Sequence, residues 1–491
     1  MTISELHILN HADYDGEFRE DEKTPGLSRF YCAVEQVRSR DPEHCLLLDA
    51  GDNINRILWH GREVFDGLAL IGTDAMTLGN HEFDRGREQL EENIAHINET
   101  FPILCSNIVY KDTGEFIRGT KPYVIIEKAG IKYGIIGCTT EYTPYMVTAS
   151  AFAPFRAESE VEALRKYIPM ARNEGAEVII GLCHFPFYFD EQSESGELID
   201  VIDQIIDLKP DVMIGGHIPG DYARVYRGVA VTKGGFSGKS LPHVTLQFDE
   251  ESRKVVGASC EIIDVLHDHF DHDAEIDAFV SRVTAPYQYY FDEVIGHMEK
   301  TLKMRLTCES EMGDFLCDAI RDRMKTDVVY FNTTSCGREF PAGDITRYSI
   351  LSVMGFNDPL MLTEMTGKQI WELFELVHEP ERYGNNGNIM FAGLNVKMDH
   401  TRPAGHKVVW IRDDHGNDID PERLYTVTTS EYMASGGNDT SLITRQLKYE
   451  DSGVLIHDAL YDYIISRGRI APPQTGRYIF IGEPENDNSP W

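Results

Sequence analysis

Residues 75–84 read AMTLGNHEFD: a short apolar run that breaks at Gly79 and at once delivers Asn80, His81 and Asp84. The run has the length and make-up of a strand buried on both faces. Four other apolar runs in the first half end the same way. LHILNHADYD (6–15) leads to Asp13 and Asp15, CLLLDAGD (45–52) to Asp52, EVIIGLCHF (177–185) to His184 and DVMIGGHIP (211–219) to His217. Between them lie amphipathic stretches such as LSRFYCAVEQVRSR (27–40), REQLEENIAHIN (87–98) and EVEALRKYIPMARNEG (160–175). Strands alternating with helices predict a layered α/β domain. In such sheets the loops at the carboxyl ends of the strands converge on a site. One Asp after a strand is ordinarily a turn former or helix cap, and one His is ordinarily a satisfied, half-buried side chain. Five strand ends furnished alike in one domain are another matter, and predict oxygen and imidazole donors gathered into a dinuclear metal cage.

Composition bounds what such a site can serve. The chain has 491 residues, 42% of them hydrophobic and 26% charged, which is globular and long enough for several domains. Its formal net charge of −35 excludes a general affinity for nucleic acid or an anionic membrane surface. Any phosphorylated ligand must then be held by concentrated local positive charge, from metal or arginine. No apolar stretch is long enough to span a bilayer and the N-terminus lacks the features of a signal peptide, so a full-length cytoplasmic protein is expected. Nine cysteines without CxxC spacing predict buried thiols rather than a disulfide framework.

Character changes at Asp264. DVLHDHFDHDAEIDAFVSRV (264–283) is acidic and His-rich, then helical. It reads as a linker and connecting helix over 264–299, between a first domain at 1–263 and a second at 300–491. The second half has its own helix, EMGDFLCDAIRDRMK (311–325), and strands such as DVVYFN, PLMLTEM, KVVWIRDD and LYTVTTSEY.

GNHEFD with DAGD, an early DxD and GGH resembles the calcineurin-like metallophosphoesterases. TKGGFSGKSLPHVTLQFD (232–249), CESEMGDFLCDAIRDRMKTDVVYFN (308–332), DITRYSILSVMGFNDPLMLTEMTGKQIWELFE (344–375) and SEYMASGGND (430–439) follow in the order of the two-domain 5′-nucleotidases. The resemblance covers nearly the whole chain. It implies an α/β fold: a layered β-sandwich flanked by helices, joined by a linker helix to an α+β substrate-binding domain that delivers substrate by a hinge movement. It also implies two divalent metal ions. Asp52 would bridge them, Asn80, His184 and His217 would complete the second position, and Asp13 and Asp15 would serve the first. His81 and Asp84 would form the catalytic dyad. The substrate would be a small nucleotide or related phosphate ester.

Two departures fall at the first metal. Asp15 stands where the family has His, and Pro219 stands where it has a further ligand. Ala12 also replaces an Asn. A site made of Asp13, Asp15 and Asp52, assisted by His11 or Asp221, favours Mn²⁺ or Mg²⁺ over Zn²⁺. His11, Asp13 and Asp15 alternate, as residues sharing one face of a strand do.

In the second domain the resemblance points to Asn332 and Arg338 in FNTTSCGREF, Asn357 in GFNDP, and Tyr432, Gly436, Gly437 and Asn438 in SEYMASGGND as substrate-binding residues. Tyr432 would stack on a base. The opposite ring is missing, since Asn388 occupies its place with Phe391 nearby. Two rival readings stay open: a 2′,3′-cyclic phosphodiesterase or UDP-sugar hydrolase on the same metal core, and a catalytically weak nucleotide-binding sensor. Three signals are set aside. KGGFSGKS lacks the first glycine of a phosphate loop, that position being Lys233. His267, His269 and His272 read as solvated, and Cys183 as packing.

Overall fold

A computed structural model describes residues 2–54, 58, 61–189, 194–336, 339–378 and 388–482. The chain divides into two compact units, residues 1–285 and 286–491. No helix among the described residues is long and apolar enough to cross a membrane.

The first unit holds two six-stranded sheets. One contains β1 (Ile3–His11), β2 (Cys45–Asp49), β3 (Ala75–Thr77) and β4 (Ile103–Leu104) in parallel, extended past β1 by the antiparallel strands of residues 240–249 and 254–264. The other is built on β5 (Tyr123–Lys128), β6 (Ile131–Thr139), β7 (Val178–His184), β8 (Val212–Gly215), β9 (Tyr222–Tyr226) and β10 (Val229–Lys233), in the order β9-β10-β8-β7-β6-β5. Its inner strands β6, β7, β8 and β10 are parallel.

Alternation along the strands explains the layering. Leu6, Ile8, Leu46 and Leu48 from the first sheet share one buried cluster with Ile135, Ile180, Leu182 and Ile214 from the second, so the inner faces pack together. Ile136, Cys138, Ile179 and Met213 point the opposite way, into a second cluster with Leu164 and Ile168 of helix Glu160–Asn173 and Leu198 and Ile202 of helix Glu197–Ile205. The helices cover the sandwich because the strands are apolar on both faces. Every parallel strand of the two sheets then opens its carboxyl end on one side of its sheet, where the polar residues lie.

The stretch read as a linker is in part built into the first unit. Helix Ala274–Thr284 buries Ile276 and Phe279, with the Phe279 ring edge-on to Phe18. Arg29 donates to the carbonyls of Val265, Leu266 and Asp268, and the backbone N–H of Asp273 donates to Ser28 Oγ. The helix starts sharply because the Asp273 side chain accepts from the N–H groups of Glu275 and Ile276. The division at 285/286 lies inside the expected connector, and strand Val294–Met298 belongs to the second unit, earlier than the expected start at 300.

In the second unit a five-stranded sheet runs in the order 389–392, 328–332, 424–430, 359–366, 450–455. Strands Val328–Asn332 and Leu424–Ser430 are parallel neighbours, so Asn332 and Tyr432 emerge at the same end of the sheet. Ile389 pairs with Asn332 and Leu360 with Ser430, which brings residues 388 and 357 towards that edge.

Because Asp273 caps a helix packed within the first unit, Asp273→Ala should lower the stability of that unit by about 1 kcal/mol. Urea denaturation of the full chain tests this. An unmoved midpoint would mean the segment contributes no structure and is only a tether.

Candidate metal centre

The centre is assembled at the carboxyl ends of β1, β2, β3, β7 and β8. Three short loops do most of the positioning. Asp13 follows β1, its N–H donating to the carbonyl of Gly51 (2.8 Å) while its Oδ2 accepts the His217 N–H (3.0 Å). Asp52 follows β2, and its Oδ1 accepts the backbone N–H of His81 (2.7 Å). The loops after β2 and β3 press so closely that a Cβ at Gly79 would collide with the Asp52 carboxylate.

The backbone here is strained. Asp13 (φ 54°), Asp15 (58°), Asp52 (60°) and His217 (75°) all occupy the left-handed region. For non-glycine residues this costs on the order of 1–3 kcal/mol each, and such strain clusters where function over-determines the geometry.

At the heart lie His184 and Asp52. His184 Nδ1 sits 2.7 Å from the Ala50 carbonyl, an acceptor only, so this nitrogen carries the hydrogen. Nε2, bare in the neutral ring, then faces Asp52 Oδ2 at 2.8 Å. Two acceptors held that close, both buried, require a cation between or beside them. In the free protein a proton answers the requirement: burial pulls His184 down, but the Asp52 charge outweighs it and pushes the imidazole up to about 9. Asp52 is held well below the carboxylate range, since burial, which raises it, is outweighed by His184 and His81.

His217 completes the group. Ligand atoms of Asp52, His184 and His217 lie within 4.8 Å of one another, and His217 Nδ1 is 2.8 Å from Asn80 Oδ1. Burial and the neighbouring His184 push His217 down to about 3, leaving it neutral and fit to ligate. A carboxylate and two imidazoles from three strand ends thus gather together, with the Asn80 amide oxygen beside His217. That donor set suits a divalent transition metal.

His81 stands at the rim. Its Nδ1 is 2.8 Å from Asp84 Oδ2, and its Nε2 lies 3.9 Å from Asp52 Oδ2, so the ring is oriented by one carboxylate and faces another. Burial lowers it, but Asp52 and Asp84 together raise it well above the usual imidazole value. Both carboxylates favour its charged form.

The first position is different. Asp13 and Asp15 do not continue β1, which ends at His11; the left-handed turns at 13 and 15 fold the chain back instead. The shared strand face of His11, Asp13 and Asp15 is therefore not formed. His11 is wholly buried with its ring edge-on to Phe30 and Tyr14, 4.0 Å from Asp49, and burial pushes it down to about 3. Asp13 is pushed up to about 8, first by burial and then by the Asp52 and Asp15 charges, partly opposed by His184. The Pro219 carbonyl and that of Phe187 accept from the ammonium of Lys233 (3.1 and 3.0 Å), the last residue of β10. Burial pushes Lys233 down to about 8 against the attraction of Asp13 and Asp221.

Two supporting residues were not legible in the motifs. Glu82 is buried, and its carboxylate accepts the N–H groups of Gly79 (2.7 Å), Asn53 (2.8 Å) and Asp52 (2.9 Å). Asp49 accepts from Gly51 N–H (2.9 Å) and the Asn53 amide. Their signal was in plain view, as the Glu within GNHEFD and the first Asp of DAGD, but an acid beside a ligand looks like a solvent-facing residue until its burial is known.

In the second unit the Asn332 amide bonds Thr334 and Ser335. Asn357 Oδ1 accepts the His457 N–H (3.0 Å). The Tyr432 ring covers Gly437, where any Cβ would strike it, and its hydroxyl accepts the Asn438 N–H (3.2 Å). Gly436 (φ 101°) and Asn438 (φ 51°) make the turn. Arg338 lies outside the described residues. Asn388 is buried and bonded to the Thr307 carbonyl, and Phe391 packs edge-on against Phe374 and Tyr478 in the core, so neither faces Tyr432 as a second ring.

Residues 3–221 match the calcineurin-like phosphoesterase family and residues 294–445 the 5′-nucleotidase C-terminal domain family. A snake venom 5′-nucleotidase of Naja atra is 28% identical, the match covering 97% of this chain and 98% of the venom protein. A 5′-nucleotidase precursor from Thermus thermophilus has the same fold, with a TM-score of 0.84 and 20% identity over 98% of this chain and 100% of that one. The sulfate thiohydrolase SoxB of Thermus thermophilus shares it too, at a TM-score of 0.78 and 20% identity over 98% of each chain.

Since Glu82 fixes the loop that aims Asp52, Glu82→Gln should weaken divalent-metal binding about 10–100-fold, the usual effect of losing such a supporting contact. Calorimetric titration of metal-stripped protein with Mn²⁺ measures it. Equal affinity in the variant would remove Glu82 from this role.

Proposed function

The chain belongs to the two-domain 5′-nucleotidase family, and from that premise we propose that it hydrolyses nucleotide phosphomonoesters with two divalent metal ions, one held by Asp52, Asn80, His184 and His217 and the other, for which carboxylates favour Mn²⁺ or Mg²⁺, served by Asp13, Asp15 and Asp52. Phosphoesterases of the calcineurin-like family use divalent metal ions. The observation that carries the proposal is the His184–Asp52 pair, whose facing acceptors fit a cation. A divalent ion there supplies Lewis acidity towards the phosphoryl oxygens and acidifies water.

The chain's own residues do the rest. Asp84 holds His81 in one orientation and favours its charged form. The imidazolium then offers a proton from Nε2 to a phosphoryl oxygen or to the departing alkoxide, where negative charge grows. Glu82 and the Gly51–Gly79 contact keep the carboxylate of Asp52 from swinging when charge shifts. In the second unit, Tyr432 offers a face for a base, Asn438 stands where the family grips ribose hydroxyls, and Asn357 offers a polar contact. A single stacking ring predicts modest base discrimination. The shared fold with a sulfate thiohydrolase means that fold alone does not select the substrate, so the phosphate-ester assignment rests on the metal centre and the matched second domain.

A panel of nucleoside monophosphates, 2′,3′-cyclic nucleotides and UDP-glucose, assayed with Mn²⁺, Mg²⁺, Zn²⁺ or chelator, tests this. Monophosphates should be preferred and chelator should abolish turnover. His81→Ala should lower kcat by about 10²–10⁴-fold, the usual worth of a positioned proton donor, with metal affinity little changed. Absence of phosphate release under every metal would replace the enzyme reading by that of a nucleotide-binding sensor.

A further inference from the structure

We propose that His7 Nδ1, His243 Nε2 and the Thr245 hydroxyl form a separate transition-metal site on the outer face of the first sheet, suited to Cu²⁺ or Ni²⁺. None of the three residues belongs to the candidate centre, so the proposal does not depend on the phosphoesterase reading.

Alternation along two strands puts the donors together. Leu6 and Ile8 of β1, with Val244 and Leu246 of the neighbouring antiparallel strand, lie in the cluster between the two sheets. His7, His243 and Thr245 therefore project from the opposite face. In register His7 lies across from Thr245, and His243 is two residues along on the same face. The donor atoms form a nearly equilateral triangle. His7 Nδ1 is 3.0 Å from His243 Nε2, and Thr245 Oγ1 is 3.5 Å from the first and 3.3 Å from the second. Such a triangle has a point roughly 2 Å from all three corners, matching a metal–imidazole bond of about 2.0–2.1 Å. Two nitrogens at that spacing subtend close to a right angle there, as in tetragonal or octahedral rather than tetrahedral ligation. With two imidazoles, this favours Cu²⁺ or Ni²⁺ over Zn²⁺, and over the oxygen-seeking Mg²⁺ and Mn²⁺.

The surroundings prepare the pair. His243 Nδ1 is 2.8 Å from Oε1 of Glu261, its cross-strand partner on the outermost strand of the sheet. A carboxylate only accepts, so Nδ1 carries the hydrogen and Nε2 is left bare. Metal-ligating imidazoles are held by this same contact on their far nitrogen, and the Ala50 carbonyl does the equivalent for His184. In the free protein His7 Nδ1 donates to that bare nitrogen. When a metal takes its place the hydrogen leaves Nδ1 and one is regained from solvent at Nε2, so the ring stays neutral and no net proton is released. Burial and the facing His243 already pull His7 down, which favours the neutral ring. Glu5 and Asp41 add negative charge around His7, opposed by His44, and the half-buried ring is open to an ion from solution. A bound ion would tie β1, which leads to Asp13, to the strand at 240–249 by a side-chain link across their backbone ladder.

Counting ions tests this without reference to turnover. The chelator-stripped full chain is exposed to micromolar Cu²⁺, passed through gel filtration and submitted to elemental analysis. Imidazoles of the candidate centre also accept Cu²⁺, so the difference between proteins is what is read. His7→Gln should hold one ion fewer than the wild type, and the lost ion's electron paramagnetic signal should carry nitrogen couplings. Phosphate release with Mn²⁺ should be the same in both. Glu261→Gln, altered at an exposed side chain, should keep the ion but bind it about 10–100-fold more weakly. Equal Cu²⁺ counts in the wild type and a His7→Gln variant of native circular dichroism would overturn the proposal, as would an extra ion seen only at millimolar Cu²⁺. If His7→Gln does not fold, Glu261→Gln decides, and unchanged Cu²⁺ affinity in it would overturn the site.

Discussion

Two acceptors that face one another at 2.8 Å inside a protein, Asp52 Oδ2 and His184 Nε2, set the constraint around which the first unit is organised. Neither can be relieved by water, because both side chains are buried, and the His184 tautomer is fixed from behind by the Ala50 carbonyl. Repulsion between them is tolerable only if positive charge is present. Everything nearby serves that condition. The left-handed backbone of Asp13, Asp52 and His217 is held by hydrogen bonds to Gly51, His81 and Asp13 rather than by local preference. Glu82, in accepting three backbone N–H groups, converts a strained loop into a rigid one. The strain is local; the sandwich beneath, apolar on both faces of its parallel strands, offsets it.

The division of labour between the two sheets follows from the same constraint. The first contributes carboxylates and the His81 imidazolium, from β1, β2 and β3. The second contributes His184, His217 and Lys233, from β7, β8 and β10. Each sheet alone would carry an excess of one kind of group at its carboxyl edge. Packing them face to face brings acid and base together, so the apolar cluster of Leu6, Leu48, Ile180 and Ile214 is also what holds the two halves of the centre in register. A core substitution that shifted one sheet by a fraction of an ångström would be felt in metal affinity before it was felt in stability.

This explains which parts of the molecule were legible in the sequence. Strand ends carrying Asp, Asn and His are local patterns, and from them could be picked out Asp52, His184 and His217, which the fold brings within 4.8 Å of one another. The packing of helix 274–284 within the first unit was not legible, because its acidic, His-rich approach hides two buried residues, Ile276 and Phe279, and the ring that Phe279 meets, Phe18, lies near the opposite end of the first unit's sequence. Glu82, Asp49 and Lys233 escaped for a shared reason. Each is a charged residue whose meaning depends on burial, and burial is a property of the assembled sheets. His11 failed in the opposite sense: it has the right chemistry and the wrong direction, because a left-handed turn follows it. In the second unit the replacement of the opposing ring by Asn388 was readable from the sequence, whereas the burial of Phe391 against Phe374 and Tyr478 belongs to the folded core.

Electrostatics reconcile the acidic chain with an anionic substrate. A net charge of −35 repels phosphate esters at long range, but screening confines that repulsion to roughly 8–10 Å at physiological salt. Within that distance the relevant charges are those of the centre: His81, whose charged form Asp52 and Asp84 favour, and the divalent ion that the His184–Asp52 pair invites. In the low dielectric beneath the sandwich these act far more strongly than the same charges would on the surface. On the phosphoesterase proposal, capture would therefore be decided by a short-range cluster of cations.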